Sequence, residues 1–415
     1  MIMKTIKEKN RPIATFLAFA LIPLSGFATD IYIPSLPAMA TQLHVSTAAV
    51  QLSLIVFLIS SGISQLFVGS LLDSYGRYNP GRLALVAFIL ASFAIAVSHH
   101  ILLVYVMRVI QGIAVAAIVV GKRAYFIDTY SGEKLKHYTS LFSIVWAAAP
   151  IIAPFLGGFL QDNFGWQANF YFLGFFTLAI LMLELIYGGE SLKYFQPFKA
   201  GTIFHIYRET FRTVDYTLGL IIISLAYAML IVYGLTSPFV IEHVFQRSPV
   251  VTGFSSLFSG MALMSGGIIS KLLIRKPLVG KLTIAILLQV LFAATMMLSG
   301  LYKANLWTFV AFTLAVHFLS GFIFNNAFAY CLGRFSKNAG IVSGITGGAL
   351  FIVTSIISYG IVNVLEIRDQ HMLGMAYLIF AGLAVIVLFL FSQARKTSEE
   401  MTEAGRYINS ILVKK

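Results

Sequence analysis

The sequence predicts an all-α membrane protein with twelve transmembrane helices in two six-helix bundles, and three observations lead to this prediction. Hydrophobic residues make up 59% of the 415 residues and charged residues only 11%, whereas about 25% of the residues in an ordinary soluble domain are charged. The mean hydropathy is +0.87. Apolar runs long enough to cross a bilayer recur along the chain, and the basic residues fall into alternate connections between these runs.

Twelve apolar runs can each cross a hydrocarbon core about 30 Å thick. The third run is short for a crossing. An even number of crossings places the two ends of the chain on the same side of the membrane. The predicted spans are 13–35, 49–72, 83–98, 101–121, 138–160, 169–188, 216–238, 250–273, 282–301, 306–330, 340–364 and 371–392.

The basic residues predict the orientation. Of the 29 lysines and arginines, 25 lie in the two termini and in the connections on the same side as the termini. Arg247, Lys303 and Arg368 lie on the other side, and Arg108 lies inside a span. Because basic residues accumulate in cytoplasmic connections, we expect a multi-pass protein of the bacterial inner (plasma) membrane with both termini in the cytoplasm. This distribution accounts for the net charge of +13 without a nucleic-acid partner.

The longest internal connection, between spans six and seven, is polar and divides the chain into two halves. A weak internal echo supports the division, since Gly69 and Arg77 recur 198 positions later as Gly267 and Arg275. Many transporter folds are built from such repeats. The predicted domains are an N-terminal six-helix bundle at 1–188, a cytoplasmic linker at 189–215, a C-terminal six-helix bundle at 216–392 and a cytoplasmic tail at 393–415.

Asp30 lies toward the far end of the first span, where a carboxylate is expensive. An aspartate at the centre of a spanning helix costs about 2.5–3.5 kcal/mol, so it indicates a function unless it is shallow enough to reach interfacial water. Arg108, in span four, lies at an overlapping depth by helix geometry. We therefore predict an Asp30–Arg108 contact, direct or bridged by water. Its alternative role is a structural ion pair between two helices.

Between spans two and three the chain reads Gly69-Ser70-Leu71-Leu72-Asp73-Ser74-Tyr75-Gly76-Arg77. This segment resembles the signature loop of the major facilitator superfamily, G-x-L-x-D-x-x-G-R. Gly69 permits close helix contact, Gly76 permits a tight turn, and Asp73 with Arg77 can hold the two halves together on the cytoplasmic side. We expect Asp128, after span four, to pair with this loop. The alternative is an ordinary basic turn.

Span five contains a proline- and glycine-rich element, which reads Pro150-Ile151-Ile152-Ala153-Pro154-Phe155-Leu156-Gly157-Gly158. It resembles the antiporter motif of drug exporters, G-x-x-x-G-P-x-x-G-G, with Pro150 and Ala153 in place of the earlier glycines. Prolines free backbone carbonyls and bend a helix, and Gly157 and Gly158 allow close packing against the other half. The alternative is a generic kinked helix.

Together with Arg108-Val109-Ile110-Gln111-Gly112, which matches the superfamily's R-x-x-Q-G element, these motifs resemble the Bcr/CflA group of drug:proton antiporters. The resemblance covers the N-terminal half, whereas the C-terminal half matches in hydropathy and spacing. It implies the major facilitator fold, in which two six-helix bundles open alternately to each side of the membrane, and a monomer.

The resemblance implies a proton-coupled antiporter that exports small organic molecules or drugs, with Asp30 and Arg108 as the coupling residues. The proton gradient drives such a transporter, so no cofactor is expected. An alternative is a dedicated exporter of an endogenous metabolite such as a siderophore, since an exposed Arg108 and the asparagines Asn325 and Asn326 would suit anionic or hydroxylated groups. Uptake by symport is disfavoured by the proline-glycine element. A sensor or scaffold is disfavoured because no cytoplasmic region is large enough for a signalling domain.

Polar and aromatic side chains within the spans are candidates for the lining of the substrate cavity. His317 fits a hydrogen bond to a neighbouring helix better than a proton relay, and Glu184 is expected to reach water at the end of span six. The chain contains no G-x-x-x-x-G-K-[ST] loop and no zinc or nucleophile–base constellation, so we expect neither an enzyme nor a metal site. The candidate cavity residues are Tyr32, Gln111, Trp146, Asn325 and Asn326.

Overall fold

The computed structural model describes residues 4–196, 200–335 and 339–412, without the side chains of 143, 144, 146, 147, 200, 202, 203, 303, 339–341 and 398–412. Fifteen α-helices occur within this part. They are α1 Arg11–Leu21, α2 Leu24–Asp30, α3 Leu36–Gln42, α4 Thr47–Tyr75, α5 Tyr78–Ala96, α6 Ile101–Thr129, α7 Gly132–Phe164, α8 Gln167–Tyr187, α9 Ala200–Arg212, α10 Val214–Phe239, α11 Pro249–Leu272, α12 Leu278–Lys303, α13 Leu306–Gly333, α14 Ala339–Leu365 and α15 Gln370–Leu412.

The predicted number of crossings is confirmed, with twelve long helical segments in the described part of the chain. Eleven of them, with Glu8–Gln42 taken as one segment, combine the length and hydropathy of membrane spans among the described residues. The twelfth is α7, a helix of 33 residues. Several helices continue beyond the predicted apolar runs, because polar residues at the ends of a span still form helical backbone outside the hydrocarbon core.

The first crossing is not the continuous helix predicted at 13–35. It consists of α1, α2, a short 3₁₀ turn at Ile33–Ser35 and α3. The interruptions coincide with Pro23 and Pro34, which lack the N–H that a helix interior requires. Asp30 is the last residue of α2 and therefore lies beside a break in the helix.

The linker contains a helix that the hydropathy pattern did not predict. This helix, α9, packs against α10 and α14. The hydroxyl of Tyr207 on α9 donates to the backbone carbonyl of Leu66 on α4, and its ring contacts Phe67. The linker helix thus touches both halves of the molecule.

The N-terminal half, α1–α8, and the C-terminal half, α10–α15, are each held together by long helix pairs. In the N-terminal half α4 packs on α6 and α5 on α8, and in the C-terminal half α11 packs on α13 and α12 on α15. The two halves meet where α7 crosses α11 and where α4 crosses α14. We call the end of the molecule that carries both termini the termini face, and the other end the opposite face.

The halves are closely packed toward the opposite face, where Gly158 and Gln51 lie, and also near the middle of α4, where Gly62 lies. A Cβ atom on Gly158 would lie 2.6 Å from the carbonyl oxygen of Pro249, and one on Gly62 would lie 2.7 Å from that of Gly348. The amide of Gln51 also donates to a carbonyl on α10 at 2.7 Å. Because small residues let helix backbones approach closely, these contacts bring the two halves together at backbone distance.

Candidate functional site

A cavity of about 60 Å³ lies between the two halves. The N-terminal half contributes Thr29 and Asp30 from α2 and Pro150 and Pro154 from α7. Of the described residues that line this central cavity, Asp30 is the one charged group. The central cavity therefore combines apolar walls with a single carboxyl group.

The C-terminal half lines the other wall of the central cavity with aromatic rings and hydroxyl groups. Ser256 and Ser259 were not singled out from the sequence, although their spacing of three residues on α11 puts them on one helix face. Serine in a glycine-rich helix is a weak signal by itself. The residues of this wall include Tyr227, Tyr233, Ser256, Ser259 and Phe351.

The carboxyl group of Asp30 makes no hydrogen bond or ion pair with the described residues. It is only partly buried, because its side chain faces the central cavity. Tyr227, from the C-terminal half, lies within electrostatic range across the cavity. The carboxyl group is thus placed between the halves without a fixed partner, where either a proton or a cationic group could reach it.

Arg108 makes no direct ion pair with Asp30 among the described residues, although the two charges lie within electrostatic range of each other, and a water-bridged contact stays a prediction. The guanidinium group is fully buried, and its Nη1 donates to the carbonyl oxygen of Ala28 at 2.9 Å and to Oε1 of Gln111 at 3.0 Å. It lies between the rings of Tyr32 and Phe57, 4.5 and 4.2 Å from their centroids. Counting residues along each helix gives the depth of Asp30 and Arg108 but not the direction in which each side chain points.

The guanidinium nevertheless acts on the helix that carries Asp30. Ala28 precedes Asp30 by two residues, so the bond to its carbonyl fixes the last turn of α2. Nη2 of Arg108 is buried and has no partner among the described residues. Arg108 therefore orients the acid through the backbone and keeps one donor unused.

The predicted cavity residues lie elsewhere. Tyr32 is buried against Arg108 and bonds to Ser53 at 3.0 Å, and Gln111 donates to Ser92 inside the N-terminal half at 2.8 Å. The amide nitrogens of Asn325 and Asn326 donate to carbonyls one turn earlier in their own helix. None of these four residues lines the central cavity. The side chain of Trp146 lies outside the described residues.

The signature loop forms its charge network within the N-terminal half rather than between the halves. Arg77 contacts Asp128 at 2.7 Å and Asp73 at 2.8 Å. Burial opposes the charge of Arg77, but the hydrogen bonds with the two carboxylates hold its pKa above the ordinary value. The expectation that Asp73 and Arg77 join the two halves is wrong for this conformation, because Asp73, Arg77 and Asp128 all belong to the N-terminal half.

Glu190, in the linker, contacts the signature loop and was not predicted from the sequence. Its carboxylate accepts hydrogen bonds from the backbone N–H groups of Arg77 and Tyr78, at 2.9 to 3.0 Å, and so caps the start of α5. Gly76 has φ of +89°, and a Cβ there would lie 2.5 Å from Oε2 of Glu190. Gly76 is thus required for the turn. A Cβ on Gly69 would meet only Val120, at 3.9 Å, so close helix contact does not explain that glycine here.

Glu184 does not reach water as expected. It is 3% exposed and pairs with Lys122 at 2.5 Å. This pair lies between α6 and α8, inside the N-terminal half, and the Lys122 side chain remains 19% exposed. The buried carboxylate is tolerated there because a lysine is its partner.

The proline-glycine element of span five lies at the seam around the central cavity. The helix α7 runs through both Pro150 and Pro154 without a break. Gly157 packs directly on the carbonyl of Ile31 in the first crossing, while Gly158 faces Pro249 of the C-terminal half. The glycine pair thus packs against both halves, and its two members have different neighbours.

Comparison with known proteins adds an independent finding. The family model described as Major Facilitator Superfamily matches residues 18–358. The uncharacterized MFS-type transporter YdgK of Bacillus subtilis is 28% identical over 363 residues, covering 84% of this chain and 88% of the relative. The multidrug resistance protein MdtL of Vibrio parahaemolyticus is 26% identical over 337 residues, covering 80% and 83%.

A crystal structure of a D-xylose-proton symporter matches with a TM-score of 0.68 and 14% identity, covering 89% of this chain and 96% of that chain. At this identity the similarity shows the fold alone. The fold, the crossings and the family model agree. The chain belongs to the major facilitator superfamily, and it is a multi-pass membrane transporter of small molecules rather than an enzyme.

Proposed function

We propose that this protein is a proton-coupled exporter of small organic molecules that works by alternating access. The observation that carries the proposal is the position of Asp30, which faces a cavity lined by both halves and has no partner among the described residues. An acid in a membrane-spanning segment costs about 2.5–3.5 kcal/mol near the bilayer centre. A transporter that binds and releases a proton at this position would account for the cost.

The proposed cycle depends on the two charge states of Asp30. The protonated carboxyl group is neutral, so it moves through the closed, low-dielectric state at little cost. The carboxylate attracts a cationic or polar substrate into the central cavity. A proton that moves inward supplies about 1.4 kcal/mol per pH unit and about 2.3 kcal/mol per 100 mV, which drives at least a tenfold substrate gradient.

The central cavity is contracted in this structure. Its volume of about 60 Å³ is far below the roughly 300–1,000 Å³ of a pocket for a drug-sized molecule. The halves are closely packed toward the opposite face, so enlargement requires that they rock apart. In the proposed cycle the bundles at 1–188 and 216–392 are the rocking units, joined by the linker at 189–215.

Export of varied organic molecules fits the walls of the cavity better than export of one anionic metabolite does. The metabolite alternative relied on an exposed Arg108 and on two asparagines. Arg108 is fully buried, and the amides of Asn325 and Asn326 bond within their own helix. The lining combines aromatic rings, hydroxyl groups and one acid, which favours amphipathic or cationic molecules. Relatives named for multidrug resistance support the same choice.

The proposal includes the orientation and the state of assembly. The excess of basic residues at the termini face supports a cytoplasmic position for that face in the bacterial inner membrane. The proposal takes the protein to be a monomer, as the family resemblance implies. Reporter fusions at the two ends would test the orientation, because both ends are expected to report from the cytoplasm.

Substitution of Asp30 tests the mechanism. In proteoliposomes we expect Asp30→Asn to abolish efflux driven by a pH gradient, because the amide cannot release a proton, while exchange of a labelled neutral molecule such as triphenylphosphine oxide continues without a gradient. The matched control is Glu366→Gln, which removes an acid from a surface pair with Arg368. Efflux of the Asp30→Asn variant that still follows the pH gradient would refute proton coupling through Asp30.

A further inference from the structure

The C-terminal wall of the central cavity contains a hydroxyl group whose hydrogen bond leads to a buried histidine. Nδ1 of His317 lies 2.5 Å from Oγ of Ser259, and Nε2 lies 3.1 Å from the hydroxyl oxygen of Tyr377. Ser259 lines the cavity together with Asp30. The chain Ser259–His317–Tyr377, which we call the imidazole chain, therefore leads from the cavity into the C-terminal half across α11, α13 and α15.

The imidazole of His317 is neutral in this setting. The ring is fully buried, and Tyr233 from α10 packs edge-on against it at 5.3 Å. The carbonyl of Met229, also on α10, lies beside the ring. No carboxylate contacts it among the described residues. Because an unpaired charge is very costly to bury, the ring carries one N–H and one lone pair.

Because a neutral imidazole has one donor and one acceptor nitrogen, the hydrogen bonds of the imidazole chain can run in either of two directions. In the first, the Ser259 hydroxyl donates to Nδ1 and the Nε2–H donates to Tyr377, so that Ser259 offers only lone pairs to the cavity. In the second, Tyr377 donates to Nε2 and the Nδ1–H donates to Ser259, so that the serine hydrogen is free to point into the cavity. Ser259 can thus accept or donate, depending on the tautomer of His317.

Two other hydroxyl groups of the cavity lack this choice. Thr29 donates to the carbonyl of Ser25 at 2.7 Å, and Tyr233 donates to Ser255 at 2.8 Å. Their hydrogens are used within the protein. Ser259 is instead bonded to a group that can either give or take the proton.

We propose that Ser259 and His317 form a substrate subsite with reversible polarity, in which the hydroxyl of Ser259 contacts the substrate and the tautomer of His317 sets its role. The ligands are small organic molecules that pair an apolar body with either a hydrogen-bond donor, such as an amine, or an acceptor, such as a phosphoryl or carbonyl oxygen. The subsite rests on the proposed export function and explains how one cavity serves both classes. A net hydrogen bond of this kind changes affinity about fivefold.

Binding to purified protein in nanodiscs, without a proton gradient, tests the subsite. The probes are ethidium, which carries amine donors, triphenylphosphine oxide, which carries an acceptor, and tetraphenylphosphonium, which carries neither. We expect Ser259→Ala to weaken the first two about fivefold and to leave tetraphenylphosphonium unchanged. The matched control is Ser265→Ala on the same helix, whose hydroxyl bonds back to Met261 and lies outside the cavity lining.

Tyr377→Phe tests the tautomer rather than the contact. Without the far hydroxyl, the ring leaves a lone pair unpaired at Nε2 in preference to an N–H, so Ser259 becomes a fixed donor. We expect ethidium binding to fall about fivefold while triphenylphosphine oxide binding is retained. Nitrogen-15 spectra of labelled histidine, assigned with His317→Gln, should show the Nδ1 proton present with triphenylphosphine oxide and absent with ethidium.

The outcomes separate this subsite from the export function. If the wild-type protein binds none of the three probes, the proposed export of such molecules is wrong and the subsite falls with it. If the wild-type protein binds them but Ser259→Ala changes all three alike, or changes none, only the subsite is refuted. Equal losses for ethidium and triphenylphosphine oxide in Tyr377→Phe would show that His317 is structural.

Discussion

The two halves of the molecule bury their polar groups in different ways. The N-terminal half encloses the guanidinium of Arg108, whose bonds go to backbone and amide oxygens, and it places Asp30 at the cavity. The C-terminal half encloses the neutral imidazole of His317, bonded to two hydroxyl groups. In the proposed cycle, charge movement belongs to the N-terminal half, and in the proposed subsite, adaptable hydrogen bonding belongs to the C-terminal half.

The halves also differ at the termini face, where Gly69 and Arg77 are echoed by Gly267 and Arg275. In the N-terminal half Arg77 bridges Asp73 and Asp128. Its echo, Arg275, is exposed and makes no ion pair with the described residues. The C-terminal half instead joins Arg334 to Asp215 at 2.7 Å. The repeat therefore preserves the backbone plan, whereas the ion pairs follow the local sequence.

Removal of the buried base from each half gives the largest expected effect. Arg108→Leu leaves the acceptors on Ala28, Ser53 and Gln111 without their charged donor, and we expect the free energy of unfolding in detergent to fall by about 3 kcal/mol. His317→Leu leaves two neutral hydroxyl groups, those of Ser259 and Tyr377, without their partner. The expected fall in the free energy of unfolding is therefore about 1–2 kcal/mol. Chemical denaturation of the two variants measures both values.

The contrast between the two halves would not hold if His317→Leu lowered the free energy of unfolding more than Arg108→Leu does. Replacement of a buried charge by an apolar side chain stabilises some proteins. A more stable Arg108→Leu variant would mean that desolvation of the guanidinium outweighs its three hydrogen bonds. Arg108 would then be kept for transport at a cost in stability, and its effect on efflux would exceed its effect on folding.

Substitution of Arg77, compared with its echo Arg275, is expected to change stability by an intermediate amount. We expect Arg77→Gln to lower the free energy of unfolding by about 2 kcal/mol, because it loses a largely buried charge-assisted bond to Asp128 and a half-exposed one to Asp73. Arg275→Gln, the matched change in the other half, should leave the melting temperature and efflux unchanged. Because the Arg77 network lies within one half, spin labels placed on the two halves at the termini face should report the same distances in wild type and Arg77→Gln. A shift toward larger distances would restore the idea of a latch between the halves.

The sequence predicted the crossings well, since hydropathy acts over whole segments, while the cytoplasmic position of the basic side stays a prediction. It predicted the site less well. Depth along a helix follows from residue counting, so Asp30 and Arg108 were placed at similar levels, but the break at Pro34 and the rotation of each helix decide which groups meet. Glu190 was missed because its role depends on a linker that folds back onto a turn more than a hundred residues earlier in the chain.

The smallest effect is expected at the echoed glycines, and it distinguishes packing from conformational change. A Cβ on Gly69 would meet only Val120, at 3.9 Å, so Gly69→Ala should raise the free energy of unfolding by about 0.5–1 kcal/mol, as alanine favours helix. A Cβ on Gly267 would lie against the amide of Asn325, so Gly267→Ala should lower it instead. Thermal unfolding of both variants gives the sign.

Transport assays on the same two variants show why Gly69 is glycine at all. If the rocking of the halves brings another helix onto Gly69, Gly69→Ala will be more stable yet slower in efflux, because the added methyl group blocks a conformation other than this one. If efflux is unchanged, the glycine serves neither the packed state nor the motion. The first result would place a close helix contact of the signature loop in the alternate conformation, where Asp73 and Arg77 could also reach the C-terminal half.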